Sequence, residues 1–325
     1  MTDAKIVFIH GLPKSIVDVI ISYTPQGFVT HPVDGSLPES EQIEAVAGAD
    51  FIIVYRAQPS DIVLQSAKKT KLVQLLAAGY DTMNLKLLSE LKIPCSNNGG
   101  TNSWAVADHT VLLMLSLYRK LIVAEKSVRR GTWNTPITGT NTFEMAGKLI
   151  GIIGMGNIGR LVAKRVLSFD AKVQYYDKFL LNNSIQPEIT ARSVSLDELF
   201  KTSDVISCHT PLTPDSLHLV NHDRISKMKE TAMIINTSRG PVVDEQALIE
   251  ALMEGRVAGA GLDVFENEPV DQNNPLLRMD NVVVTPHMAG TTWNTWFRRA
   301  EFAYANIKRV WSGNQPLAKA EIDKE

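Results

Sequence analysis

Short apolar runs alternate with amphipathic stretches almost from one end of the chain to the other, the pattern of βαβ units and a parallel sheet. Two series are visible. The first predicts strands at residues 5–10, 51–55 and 72–76, helices near 14–23, 41–47 and 61–68, and a short closing strand at 93–95. After the turn-rich Ser96-Asn97-Asn98-Gly99-Gly100, an apolar stretch over 103–121 reads as a buried helix that continues, with more charge, to 130. The crossing between two domains belongs there. The second series predicts six strands, at 149–154, 172–176, 205–208, 232–236, 258–263 and 282–285. Residues 292–311 read as a last helix that stops at Gly313, a C-cap signal, ahead of Pro316. The tail is too short for a domain of its own and is expected to return to the first. The expected division is therefore 1–98 with 290–325 as one discontinuous domain and 99–289 as the other.

Composition narrows the class. The 325 residues, 44% of them hydrophobic, suit two packed domains of ordinary size. With 33 Lys+Arg against 35 Asp+Glu the formal charge is −2, so there is no basic field for phosphate backbones or anionic lipid, and no nucleic-acid partner is expected. The apolar run before Gly11 and Pro13 is too brief for a signal-peptide core or a membrane span, which points to a cytoplasmic protein with no membrane partner. Cys95 and Cys208, the two cysteines, exclude a disulfide framework and a multi-thiolate zinc site, and with it the zinc-dependent alcohol dehydrogenases. His218 and His222 have ligand spacing, but no helix-borne Glu lies between them and no third ligand is evident; no metal is expected.

Gly154-Met155-Gly156-Asn157-Ile158-Gly159 follows a predicted strand and opens a predicted helix, the context in which Gly-x-Gly-x-x-Gly carries meaning. Gly154 permits the tight turn, Gly156 lets backbone approach a pyrophosphate, and Gly159 lets the helix pack closely. The anion would sit at the helix N-terminus, where free N–H groups and the dipole favour it. Asp177 ends the next strand, eighteen residues past Gly159, where a carboxylate accepts from the adenosine ribose hydroxyls. It would repel a 2′-phosphate, so NAD is predicted over NADP. The six strands then make up a full dinucleotide-binding sheet. Tyr304-x-x-x-Lys308 fits the Tyr/Lys pair of short-chain dehydrogenases, but it falls in the last helix, behind the completed strands, and reads as helix packing.

Hydride exchange between nicotinamide and a 2-hydroxy acid needs a base for the hydroxyl proton, a cation for the carboxylate and carbonyl oxygen, and an orienter for the base. Arg239 in Asn-Thr-Ser-Arg-Gly, Glu268 in Asp-Val-Phe-Glu-Asn-Glu-Pro and His287 in Thr-Pro-His each follow a predicted strand C-terminus, where a doubly wound sheet binds its ligands. Taken singly, His287 also fits a loop histidine and Arg239 a cap on helix-end carbonyls. Glu266 competes with Glu268 for the orienting role.

Together the glycine loop with Asp177, Asn236–Gly240, Gly261–Pro269 and Thr285-Pro286-His287, with Ala78-Gly79-Tyr80-Asp81 and Ala105–Thr110, resemble the NAD-dependent D-2-hydroxyacid dehydrogenase family over nearly the whole chain. The resemblance implies an α/β fold of two doubly wound parallel-sheet domains, a Rossmann cofactor domain and a flavodoxin-like substrate domain. It implies Arg239 as substrate anchor, His287 as acid/base and Glu268 as its partner, with backbone at Ala78 and Gly79 holding the carboxylate. Gly154, Gly156, Asn157, Ile158, Gly159, Asp177, Thr210, Pro211, Thr237, Ser238, Asp263, Ala289 and Gly290 match the family's NAD positions.

Departures from the family pattern shape the reading. Asp108 stands where Glu is usual, and Glu268 stands where formate-oxidising relatives carry Gln, which argues against formate. Tyr55 aligns with the arginine that phosphoglycerate-specific relatives use, although Arg56 is adjacent, and no regulatory C-terminal domain is expected. The expected substrate is glyoxylate, hydroxypyruvate or a larger 2-keto acid, with phosphoglycerate the alternative within the class. Outside it stands an NAD(H)-sensing, corepressor-like interaction protein. Trp104, Trp293 and Trp296 are candidates for the pocket wall or for core, and the apolar crossing helices with Trp133 suggest the seam of a homodimer.

Overall fold

The computed structural model describes residues 3–133, 139–178 and 189–320. The chain divides into two compact units, Met1–Asn102 with Thr291–Glu325, and Ser103–Gly290.

In the first unit β1 (Ala4–His10), α1 (Lys14–Ile21), β2 (Phe28–Asp34), α2 (Glu39–Val46), β3 (Phe51–Tyr55), α3 (Asp61–Ser66), β4 (Leu72–Leu75), α4 (Leu85–Glu90) and β5 (Cys95–Ser96) follow one another. The strands form a parallel sheet of order β2-β1-β3-β4-β5, the flavodoxin-like order. Every residue of β3 and β4 is buried, because helices cover both faces of the sheet; this is why these strands read as unbroken apolar runs. The sequence pattern had no signal for β2. As the edge strand, carrying His31 and Pro32, it buries none of its residues fully and has no apolar run to show. Helix α4 has only six residues and is capped by Asn84, whose side chain accepts from Leu87 N–H.

The second unit opens with α5 (Ser103–Tyr118) and α6 (Leu121–Arg129), then β6 (Leu149–Ile153), α7 (Asn157–Leu167), β7 (Lys172–Tyr176), β8 (Ala191–Ser193), α8 (Leu196–Thr202), β9 (Val205–Cys208), α9 (His222–Ile225), β10 (Met233–Asn236), α10 (Glu245–Met253), β11 (Gly259–Leu262) and β12 (Val282–Val284). The buried helix and its more charged continuation to 130 are two helices, separated where Lys120 turns left-handed (φ 48°). The sheet is parallel, with order β12-β11-β10-β9-β6-β7-β8. That is seven strands among the described residues rather than six. The extra one, β8, is three residues long and lies at the edge beside β7, too short and too exposed to leave a hydrophobic signature. Strand order reverses between β6 and β9, and the glycine loop leaves β6 at that point.

Two apolar clusters pack the two faces of this sheet, one under α8 and α10, the other under α5 and α7. Helix α5 crosses β11 so closely that a β-carbon on Gly261 would stand 3.0 Å from that of Leu113.

The last helix, α11 (Trp293–Trp311), belongs to the first unit and opens on a capping box between Thr292 and Thr295. Gly313 ends it at φ 83°. Tyr304 lies on its buried face, its hydroxyl 3.0 Å from that of Thr30, so the Tyr-x-x-x-Lys spacing reports packing. Trp296 is buried against Tyr55, ring centroids 5.1 Å apart, with the Arg299 guanidinium 4.8 Å from its ring. Of the three candidate tryptophans it is therefore core, while Trp104 and Trp293 are more than half exposed.

Candidate active site

The glycine loop lies where the strand order reverses. Gly154 turns at φ 90°, and a β-carbon there would meet the His209 carbonyl oxygen at 2.8 Å, in the loop after β9. A β-carbon on Gly159 would stand 2.1 Å from the Gly154 carbonyl oxygen, so that glycine lets α7 start hard against the turn. Gly156 differs: its missing β-carbon would point into open space. Nothing in the fold demands glycine at 156, whereas a pyrophosphate approaching the backbone would. Asn157 and Ile158 are the first residues of α7, where helix geometry leaves N–H groups without an acceptor four residues back. Asp177 directly follows β7, and its Oδ2 accepts from Met155 N–H at 2.8 Å, which places the carboxylate on the same loop. These features fit NAD: N–H donors for the pyrophosphate and a carboxylate for the ribose. Thr210 and Pro211 leave β9 on the other side of the reversal, with the Pro211 carbonyl held by Ser216 Oγ at 2.6 Å.

The Arg239 loop is built by its own first residue. Asn236 Oδ1 accepts from Ser238 N–H at 3.0 Å and from Ser238 Oγ at 2.8 Å, while its Nδ2 donates to the Arg239 carbonyl at 2.8 Å. An Asn at the end of β10 thus winds the next three residues into a closed turn. Thr237 is buried there, its hydroxyl 2.9 Å from that of Thr110 on α5. Gly240 follows because nothing larger fits beside Phe265. Arg239 itself is half-buried, with Nη1 donating to the Ser238 carbonyl at 2.8 Å.

Glu268 and His287 meet. His287 Nδ1 stands 2.6 Å from Glu268 Oε2, and Glu268 Oε1 accepts from Phe265 N–H at 3.1 Å. Burial works to raise the Glu268 carboxyl, but the bonds from His287 and Phe265 and the charges of His287 and Arg239 outweigh it and hold it below the usual carboxylate range. Arg239 therefore acts on the same carboxylate. Glu266 has other partners: its Oε1 lies 2.9 Å from His218 Nε2 and accepts from Glu245 N–H at the start of α10.

His287 holds a left-handed backbone (φ 50°), a conformation that costs a non-glycine residue about 1–2 kcal/mol. The turn is secured from Asp263. The Asp263 carbonyl accepts from His287 N–H at 2.8 Å, Oδ1 accepts from Met288 N–H at 2.9 Å, and Oδ2 from Ala289 N–H at 2.8 Å. Asp263 is almost wholly buried, and its carboxylate serves the loop that carries His287. Ala289 is buried and Gly290 half-buried at the end of that loop. Sequence reasoning assigned no role to His109, whose Nε2 lies 2.9 Å from Thr285 Oγ1. Its only sequence signal is its place in Ala105–Thr110.

In the first unit, Ala78 and Gly79 follow β4, the Ala78 carbonyl accepting from Asn97 Nδ2 at 3.0 Å. Tyr55 ends β3 and Arg56 follows it, with the Arg56 guanidinium 5.9 Å from the Tyr55 ring. Among the described residues there is no group of three His, Cys, Asp or Glu placed to hold a metal, and no helix long and apolar enough to cross a membrane.

A dinucleotide-binding sheet with an Arg, a Glu and a His gathered at its strand ends defines a nicotinamide-dependent oxidoreductase. The family model for the NAD-binding domain of D-isomer specific 2-hydroxyacid dehydrogenases matches residues 111–289. The chain is 40% identical to a glyoxylate reductase of Thermofilum pendens over 79% of this chain and 76% of that one. It is 36% identical to a glyoxylate reductase of Korarchaeum cryptofilum over 87% and 86%. Among solved structures, a glyoxylate reductase from Paecilomyes thermophila superposes with TM-score 0.84 at 26% identity over the full length of both chains. A protein of Thermus thermophilus does so with TM-score 0.84 at 32% identity over 98% of this chain and all of that one. The chain belongs to the D-isomer specific 2-hydroxyacid dehydrogenase family and is an NAD-dependent enzyme of that kind.

Proposed function

We propose that this enzyme reduces small 2-keto acids of the glyoxylate and hydroxypyruvate type to D-2-hydroxy acids, with His287 as general acid, Glu268 as its orienter and Arg239 as substrate anchor. The observation that carries the reading is the 2.6 Å contact of His287 Nδ1 with Glu268 Oε2, within the reach of Arg239's charge. Bound NADH supplies the hydride. With Nδ1 engaged by the carboxylate, Nε2 is the ring atom left to give a proton to the carbonyl oxygen as it becomes a hydroxyl. The reverse reaction takes that proton back. The carboxylate opposite Nδ1 stabilises the ring while it carries the extra proton. The Arg239 guanidinium suits two tasks, bidentate grip on the carboxylate and polarisation of the carbonyl. Backbone at Ala78 and Gly79 is assigned to the substrate carboxylate on resemblance alone. Glu268 has no use in formate oxidation, where no hydroxyl proton is removed.

Support for small substrates comes from the glyoxylate reductases among the relatives. A D-3-phosphoglycerate dehydrogenase of Archaeoglobus fulgidus, 35% identical over 86% of this chain, keeps that acid on the panel. We also propose a homodimer in the cytoplasm, formed through the helices that open the second unit, where Leu112, Leu121, Ile122 and Val128 are exposed, as is Trp133 just after them. Steady-state NADH oxidation over a series of 2-keto acids tests the assignment. Arg239→Ala is expected to lose about 10²–10³-fold in kcat/KM and His287→Ala about 10²–10⁴-fold. Near-normal turnover in both would refute the roles given.

A further inference from the structure

We propose that His109, Thr285 and Asp263 form a relay of hydrogen bonds whose task is to position His287, and that His109 and Thr285 are positioning residues for proton transfer. The inference rests on His287 being the acid/base. Thr285 Oγ1 lies 2.5 Å from Asp263 Oδ1 and 2.9 Å from His109 Nε2. A hydroxyl has one proton, and the carboxylate takes it, so His109 Nε2 must be the donor to Thr285. This fixes the ring state at Nε2 and the sense of the chain: His109 donates to Thr285, which donates to Asp263.

Asp263 then has little freedom left. Its Oδ1 also accepts from Met288 N–H and its Oδ2 from Ala289 N–H, at 2.9 and 2.8 Å, while its carbonyl accepts from His287 N–H at 2.8 Å. These acceptors bracket His287 and span the left-handed residue on both sides. Such a conformation persists only where its surroundings over-determine it. His109 Nε2 also lies 3.6 Å from Asp263 Oδ1, so the three side chains stand together. His109 sits on α5, which packs along β11 and β12, so its position is set by the cofactor-domain core and not by the loop it serves. Asp263 also matches a cofactor-contact position of the family, and a carboxylate held in this way has acceptor capacity left at Oδ2, which takes one bond, from Ala289 N–H.

The test compares Thr285→Val, which removes the hydroxyl at constant shape, with Thr285→Ser, which keeps it. It likewise compares His109→Leu with His109→Gln, whose amide can still donate. The expected result is a roughly tenfold loss of kcat in T285V and H109L, with the dissociation constant for NADH changed by less than about twofold. T285S and H109Q should stay near the parent. Because the two residues lie on one chain, the double variant T285V/H109L should be no slower than T285V. In the unliganded protein, ¹⁵N spectra of His287 should show its Nδ1 signal altered in T285V and restored in T285S. Unchanged kcat in T285V and H109L, additive losses, or a loss confined to NADH affinity would each overturn the relay. If T285V does not fold, H109L and H109Q decide on the same criteria. His287→Ala in the same assay separates the two claims: its near-normal turnover would refute the acid/base reading itself.

Discussion

A β-carbon on Gly240 would stand 1.8 Å from the carbonyl oxygen of Phe265. The loop after β10, which carries Arg239, and the loop after β11, which carries Glu268, therefore touch through a position only glycine can fill. Gly240→Ala must push the two loops apart. The expected outcome is about 1–3 kcal/mol of destabilisation together with a loss of kcat/KM that approaches that of Arg239→Ala. Urea unfolding and steady-state kinetics check both parts; a variant with parental kinetics would separate the contact from the site.

Gly156 and Gly159 make a contrasting pair. Alanine at 159 collides with the turn at Gly154, so both stability and NADH affinity should fall. Alanine at 156 meets no protein atom, so the melting temperature should hold while NADH affinity drops by tenfold or more. Fluorescence titration with NADH alongside thermal melts distinguishes them. Equal NADH affinity in Gly156→Ala and the parent would remove the pyrophosphate from that position.

The two glutamates of the β11 loop should separate cleanly. Glu266 holds His218 and the start of α10, so Glu266→Gln should lower stability modestly and leave kcat near normal. Glu268→Gln should lose about 10²-fold or more in kcat. The reverse pattern would exchange their roles.

Acid pH supplies an independent check on Glu268. Its carboxyl lies below the usual range in the folded protein, so the unfolded chain takes up its proton first as pH falls. The stability it contributes is complete above about 4.3, the ordinary glutamate value, and is lost as pH drops through the lower folded value. The melting-temperature difference between the parent and Glu268→Gln should be constant near neutrality and shrink below that value. A difference independent of pH would mean that the carboxylate's charge contributes nothing.

Most of the fold, and the loops that carry the candidate site, were legible in the sequence for a physical reason. Strands buried on both faces must be apolar throughout, so β1, β3, β6, β9 and β10 announced themselves, and the residues just beyond their ends marked the crevice. What escaped lies at edges and across space. β2 and β8 have one protected side at most and no apolar run. The choice between Glu266 and Glu268 turns on which way two residues of one loop face, which spacing does not encode. The contact of His109 with Thr285 joins residues 176 positions apart. Asp263 was visible as a motif residue, but only the folded structure shows that its carboxylate binds backbone N–H groups of the His287 loop.

The most direct test of the account is the initial rate of NADH oxidation with glyoxylate, hydroxypyruvate, pyruvate, bulkier 2-keto acids and phosphohydroxypyruvate, measured for the parent and for His287→Ala, with NADPH in parallel. The account predicts rapid turnover of the small keto acids with NADH, a clear preference over NADPH, and a loss of at least about 10²-fold in the variant. No turnover of any keto acid despite tight NADH binding, or turnover untouched by removal of His287, would contradict it.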